Sequence, residues 1–145
     1  NWFYQYSVGE TPWGDDNFYG NRVPPWGNPD SGVDDPTLDI DNITGLGPEN
    51  NSIEKPVVGE IYTIGVHNYA RANGRIATVS ITCGKTAIPA AVFTSCPLSS
   101  LSDGGACAST DDFWMVAAVV FGSDGACAVT KIDVYSDSAV RATMF

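Results

Sequence analysis

The chain has 145 residues, and seventeen acidic side chains against seven basic give it a net charge of −10. That length suits one domain with a real core, and the charge argues against nucleic acid or an anionic membrane surface as a partner. The longest apolar run, residues 113 to 121, is far too short to cross a bilayer as a helix, so no membrane insertion is expected.

Glycine, proline, asparagine, aspartate, serine and threonine are abundant, while strong helix formers are scarce. Valine, isoleucine, threonine and aromatic residues fill the patterned segments. This composition predicts an all-β fold, with short strands broken by Gly/Asp turns as in an antiparallel β-sandwich of jelly-roll or immunoglobulin-like type. One domain spans residues 1 to 145, with 1 to 33 packed on it as an aromatic-rich segment.

That first segment carries half of the aromatics: Trp2, Phe3, Tyr4, Tyr6, Trp13, Phe18, Tyr19 and Trp26. A short strand over residues 2 to 7 followed by a long ordered loop is expected. Long loops are pinned by their own side chains or are functional. Packing of the rings is the weightier reading, since a loop rich in proline and glycine needs buried rings to hold it. The alternative makes Trp2, Trp13, Tyr19 and Trp26 a stacking platform for sugars, as in a carbohydrate-binding module.

Residues 34 to 50 place Asp34, Asp35, Asp39, Asp41, Asn42, Glu49 and Asn50 in one stretch without lysine or arginine. Such crowding repels unless water or a cation screens it. Hard oxygen donors along a glycine-broken loop suit Ca²⁺. Asp35, Asp39, Asp41 and Glu49 lead as ligands, with Asp34 and Asn50 next and backbone carbonyls completing the shell. The loop is not an EF-hand: Ile43 replaces an oxygen donor, Asn50 stands where the twelfth-position glutamate belongs, and no helices are expected to flank it. The competing reading is a solvated acidic turn, with aspartates forming Asx-turns beside Pro36 and Pro48.

Residues 59 to 70 alternate, with Tyr62, Ile64 and Val66 on one face and Thr63, Gly65 and His67 on the other. Asn73-Gly74 then predicts a hairpin returning through residues 76 to 83. There Ala77, Val79, Ile81 and Cys83 share one face, and Thr78, Ser80 and Thr82 the other. Another strand is expected over 87 to 93. Residues 113 to 121 fit a central strand buried on both faces. Asp124-Gly125 makes a turn into an antiparallel partner over 127 to 135, and 139 to 145 is expected to close the sheet.

Cys83, Cys96, Cys107 and Cys127 are widely spaced, with a single histidine in the chain, so zinc is disfavoured. Two disulfides in an exported protein fit better. Four cysteines allow three connectivities. The nested pairing, Cys83–Cys127 with Cys96–Cys107, is favoured: the inner pair brackets a turn-rich excursion, and the outer pair adjoins apolar strand faces. Lone His67, without a Gly-x-Ser-x-Gly motif, gives a serine triad little support. The crowded carboxylates are not set apart across a groove as in a glycosidase. No enzymatic activity is expected; a hydrolase using Asp or Glu with His67 is the weakest option.

The run Asp-Asp-Pro-Thr-Leu-Asp-Ile-Asp-Asn, then Gly-Leu-Gly-Pro-Glu-Asn, Gly-Glu-Ile-Tyr-Thr-Ile-Gly-Val-His-Asn-Tyr, Ala-Thr-Val-Ser-Ile-Thr-Cys-Gly and Asp-Phe-Trp-Met-Val-Ala, lies between residues 34 and 117 of a pattern that covers roughly residues 13 to 133. It resembles a family of bacterial secreted and cell-surface β-sandwich domains, similar in character to pre-peptidase C-terminal domains. The resemblance implies fold and compartment more than activity. Against that pattern the excursion between Cys96 and Cys107 is an insertion, which supports pairing those two cysteines. A strand that the pattern places ahead of Trp2 does not stand before it here: either the chain is a fragment, or the fold lacks that strand and leaves an edge for another chain to fill by strand addition. The expected role is thus a non-catalytic, calcium-stabilised extracellular module, structural or adhesive at the cell surface. Its partners would be other extracellular chains, further copies of itself, or glycans.

Overall fold

The computed structural model describes residues 2–5, 17, 20–26, 30–40, 48–68, 74–98 and 113–136, with 2–5 and 136 by backbone alone. Among them there is no helix. Eight strands run in the order β1 (Trp2–Gln5), β2 (Pro36–Ile40), β3 (Asn50–Ile53), β4 (Ile61–His67), β5 (Thr78–Ile81), β6 (Ala91–Thr94), β7 (Phe113–Phe121) and β8 (Cys127–Ser136). They form three antiparallel sheets: β1-β4-β7-β8, the ribbon β2-β3, and the pair β5-β6.

β7 is the hub. It pairs with β4 on one side and β8 on the other, and every side chain from Phe113 to Ala117 is buried. A continuous apolar run buried on both faces is what the sequence predicted there. On one face Trp114, Val116, Ala117 and Val119 cluster with Tyr62 and Val66 of β4 and with Trp26, Ile81, Cys83 and Leu98. On the other, Phe113 and Met115 pack with Ile132. The tip of the Phe113 ring stands over Gly65; a Cβ added to Gly65 would lie 2.5 Å from its Cζ. Glycine at this strand position is therefore a packing requirement.

The β5-β6 pair shows the predicted alternation. Val79 and Ile81 turn inward to the shared core while Thr78, Ser80 and Thr94 are exposed. A disulfide joins Cys83, just past β5, to Cys127 at the start of β8, with Cα atoms 5.9 Å apart. The outer pair of the predicted connectivity is thereby observed. Cys107 lies outside the described residues, and so does the Cys96–Cys107 pair. The Asp124-Gly125 turn is present, with Gly125 at φ 77°, and the Asp124 carboxylate accepts from the Ala126 amide at 3.0 Å.

Two expectations are corrected. The strands flanking Asn73-Gly74 do not pair with each other: β4 lies between β1 and β7, and β5 pairs with β6. Gly74 adopts the left-handed conformation the motif requires, at φ 71°, but a turn only redirects the chain locally. The partner is decided by burial, and β4, which carries buried side chains on both faces, belongs to the interior of the larger sheet. The strand expected over 87 to 93 is shorter and later, at Ala91–Thr94. The predicted strand at 139 to 145 lies outside the described residues.

β8 carries a bulge that the sequence did not announce. Met115 pairs with Val134 but Ala117 pairs with Lys131, so β8 holds one extra residue there. Within it Asp133 sits at φ 58°, a left-handed conformation that aspartate tolerates better than most residues. The bulge aims its carboxylate at three donors. Trp114 Nε1–H donates at 3.0 Å, the Tyr135 hydroxyl at 3.3 Å, and Lys131 Nζ stands 2.6 Å away. Tyr135 in turn stacks on Trp114 and accepts from the Cys96 amide at 2.9 Å.

The Lys131 hydrogen bond, helped by Trp114, holds the Asp133 carboxyl below its ordinary range despite partial desolvation. A folded pKa below the unfolded one adds stability above the unfolded value, about 3.9, and that stability is lost as pH falls through the folded value. Asp133→Asn is therefore expected to lower the urea midpoint at neutral pH, and the gap from wild type should shrink as pH falls below the unfolded carboxylate value. The effect is modest, because the carboxylate is partly exposed. A gap that stays constant with pH would show that the carboxylate's charge has no part in it.

Candidate functional site

The acidic stretch folds as the β2-β3 ribbon. Pro36 lies opposite Ile53, Thr37 opposite Ser52 and Leu38 opposite Asn51. Ile40 then pairs with Asn50, so Asp39 is the extra residue of a bulge. Pro36 and Leu38 alternate inward and are buried, while Asp39 and Ile40 are exposed. Ile53 packs on the main core, and Lys55 donates its amide to the Val33 carbonyl at 2.8 Å, which extends the pairing past Asp34 and Asp35.

A neighbouring segment completes the site. The Leu38 amide donates to the Arg22 carbonyl at 2.9 Å. The Arg22 guanidinium reaches back to the Leu38 carbonyl at 3.1 and 3.0 Å and to the Asp39 carbonyl at 2.8 Å. Asn17, fully buried, donates through Nδ2 to the carbonyls of Arg22 at 2.8 Å and Pro36 at 3.2 Å. Sequence reasoning missed both residues. Arg22 and Asn17 sit in the aromatic segment, and no local spacing ties either to a strand that begins at residue 36.

The predicted ligands divide. Asp34 and Asp35 are half-buried in the bend before β2, Asp39 stands exposed at the bulge, and Glu49 and Asn50 flank the start of β3. Asp41 lies outside the described residues. Among the described residues no three carboxylate, histidine or cysteine side chains come together as a metal cage. What the ribbon does hold is a set of buried acceptors. Oδ1 of Asn17, of Asp35 and of Asn51 is buried, and none of the three has a hydrogen-bond partner among the described residues. Burying a polar oxygen in this way costs about 1–3 kcal/mol, and more for a charged group, so each calls for a water or an ion.

The aromatic platform is only partly visible. Trp26 is buried in the main core, 2% exposed, with its ring 5.6 Å from that of Tyr62. Its surface is spent on packing in the main core, rather than in a mini-core of the segment's own rings. Tyr62 accepts the Val57 amide at 2.7 Å, and burial pushes its phenol up. Trp2 belongs to β1, where the backbone alone is described, and Trp13 and Tyr19 lie outside the described residues. His67, half-buried on β4, has its ring 6.3 Å from that of Phe113.

No protein-family model, curated protein or solved structure matches this chain.

Proposed function

We propose that the chain is a non-catalytic structural or adhesive module of an exported protein, a disulfide-tied β-sandwich stabilised by Ca²⁺ at its acidic ribbon. The observation that carries this reading is the ribbon itself: half-buried Asp34 and Asp35 beside buried oxygens of Asn17, Asp35 and Asn51 that lack donors among the described residues. Hard neutral and anionic oxygens together are the donor set Ca²⁺ takes. The Cys83–Cys127 bond fits an oxidising, extracellular compartment. Bound calcium would hold the ribbon to the core, and its binding energy would add to folding energy.

Thermal unfolding of the oxidised protein in EDTA and in millimolar Ca²⁺ tests this. Calcium at about a hundred times its dissociation constant adds ~2.7 kcal/mol, so the melting temperature should rise by roughly 8 °C. An unchanged melting temperature would sink the calcium reading. The compartment is tested through Cys96. It is not a free thiol, and we assign its partner as Cys107. Peptide mapping of the unreduced protein is expected to show that pair, and a mixed pairing would contradict the nested connectivity.

A further inference from the structure

The two smaller sheets share one construction. Each is a two-stranded antiparallel ribbon with an inner and an outer face. In β5-β6 the inner face packs Val79, Ile81 and Phe93 on the core. The register sets Thr78 beside Thr94 and Ser80 beside Val92 on the outer face, and all four are exposed. Val92 is 56% open to solvent, Ile76 just before β5 is 63% open, and Ile88 in the turn to β6 is 76% open. In β2-β3 the inner face carries Pro36, Leu38 and Ile53, while the outer face pairs Thr37 with Ser52 and Ile40 with Asn50. Ile40 is 47% exposed, and Asp39 stands exposed next to it.

The ribbons differ in charge. Residues 61 to 102, which include β5-β6, carry Arg71, Arg75 and Lys85 and no acidic side chain, in a chain of net charge −10. Residues 30 to 60, which include β2-β3, carry eight acidic side chains and one lysine. Arg22 reaches the second ribbon from outside, and its guanidinium is engaged by the carbonyls of Leu38 and Asp39. Exposed apolar side chains grouped among polar ones mark a contact surface, and the sign of the charge beside them selects the partner. Neither ribbon suits a second copy of itself, because two acidic faces or two basic faces bring like charges together. Each suits the other.

We propose that the outer face of β5-β6 docks on the outer face of β2-β3 of a second copy, so that the chain associates head to tail. Val92 and Ile40 are the apolar anchors, and Arg75 and Lys85 meet the acidic ribbon. This rests on the structural-module reading above and supplies its partner. Because the two faces differ, every docked copy leaves one face of each kind open, and the contact repeats. Each face is only two strands wide, so the contact is narrow and its dissociation constant falls at roughly micromolar to millimolar.

Sedimentation velocity of the oxidised full chain with Ca²⁺ present, from roughly 10 µM to 1 mM protein, tests the contact. Wild type should grow with concentration past a dimer. Val92→Asp and Ile40→Lys should each weaken association at least about tenfold, as loss of a central anchor does. Both positions are exposed, so circular dichroism and the melting temperature of each variant should match wild type. The deciding arm mixes the two. Val92→Asp keeps its β2-β3 face and Ile40→Lys keeps its β5-β6 face, so the mixture should form a one-to-one dimer and stop there. Wild type that stays monomeric overturns the contact, and so does wild type that stops at a dimer while the mixture forms none. A monomer that still melts higher in Ca²⁺ loses the contact and keeps the calcium-stabilised module. A monomer without that shift loses both.

Discussion

Replacing Trp114 by alanine is expected to cost about 3–5 kcal/mol in urea unfolding, the usual range for a large buried aromatic. Trp114 is wholly buried. It lies between Val66 of β4 and Tyr135 of β8, with its ring stacked 5.9 Å from that of Tyr135. Truncation empties the centre of the core and removes a donor from Asp133. For a domain stabilised by about 5–15 kcal/mol this is a large share of the total. Trp114→Phe keeps most of the volume and loses the Nε1–H bond, so it should cost only about 1–3 kcal/mol. The Trp114→Ala/Asp133→Ala double mutant should cost less than the sum of the singles, since the two side chains share that bond. A loss below about 1 kcal/mol for Trp114→Ala would mean that β7 is not the hub of the core.

Opening the Cys83–Cys127 bond should be nearly as damaging. The bond spans 44 residues, and loop-closure entropy for that length comes to about 4 kcal/mol at 25 °C. Cys83→Ala/Cys127→Ala is expected to lower the melting temperature by roughly 10–15 °C. The native contacts of this site are otherwise modest, because Cys83 is small and Cys127 only half-buried. The loss should therefore arise mainly from the freed unfolded chain. Equal melting temperatures for the oxidised protein and the double mutant would show that the bond merely decorates a core that closes without it. A large drop would fit a module whose fold depends on an oxidising compartment.

The strands that were legible in the sequence are those whose environment is written in local pattern. Phe113 to Phe121 has no polar residue to offer a solvent face, so it had to be interior. Residues 77 to 83 alternate because one face meets the core and the other water. Asp124-Gly125 marks a turn because glycine alone takes the left-handed step without strain. Asn73-Gly74 misled for the same reason that it informed: it encodes a change of direction and carries nothing about which strand is met afterwards.

The acidic site was half legible. The density of oxygen donors in residues 34 to 50 drew attention to the β2-β3 ribbon, and Asp35 is among its buried acceptors. Asn17 and Arg22 were invisible, since each meets β2 from at least sixteen residues away through side-chain bonds to backbone carbonyls. The stretch contains no lysine or arginine along the chain, yet in space the Arg22 guanidinium covers the carbonyls of Leu38 and Asp39. The Asp133 latch left no trace either, because a bulge is a mismatch between two strands and neither strand alone contains it.

The sequence by itself determined the class of this protein: β-branched and aromatic periodicity, a paucity of helix formers, distant cysteines and a strongly acidic balance. These are sums or short-range patterns, and physical preferences of period two act on the residues themselves. The tertiary structure alone decided which strands pair, that Trp26 serves the core, that Arg22 caps one end of the acidic ribbon, and that Asn17 is buried beside the other. Those outcomes depend on which buried surfaces and unpartnered polar groups can be satisfied together, a condition on residues far apart in the chain.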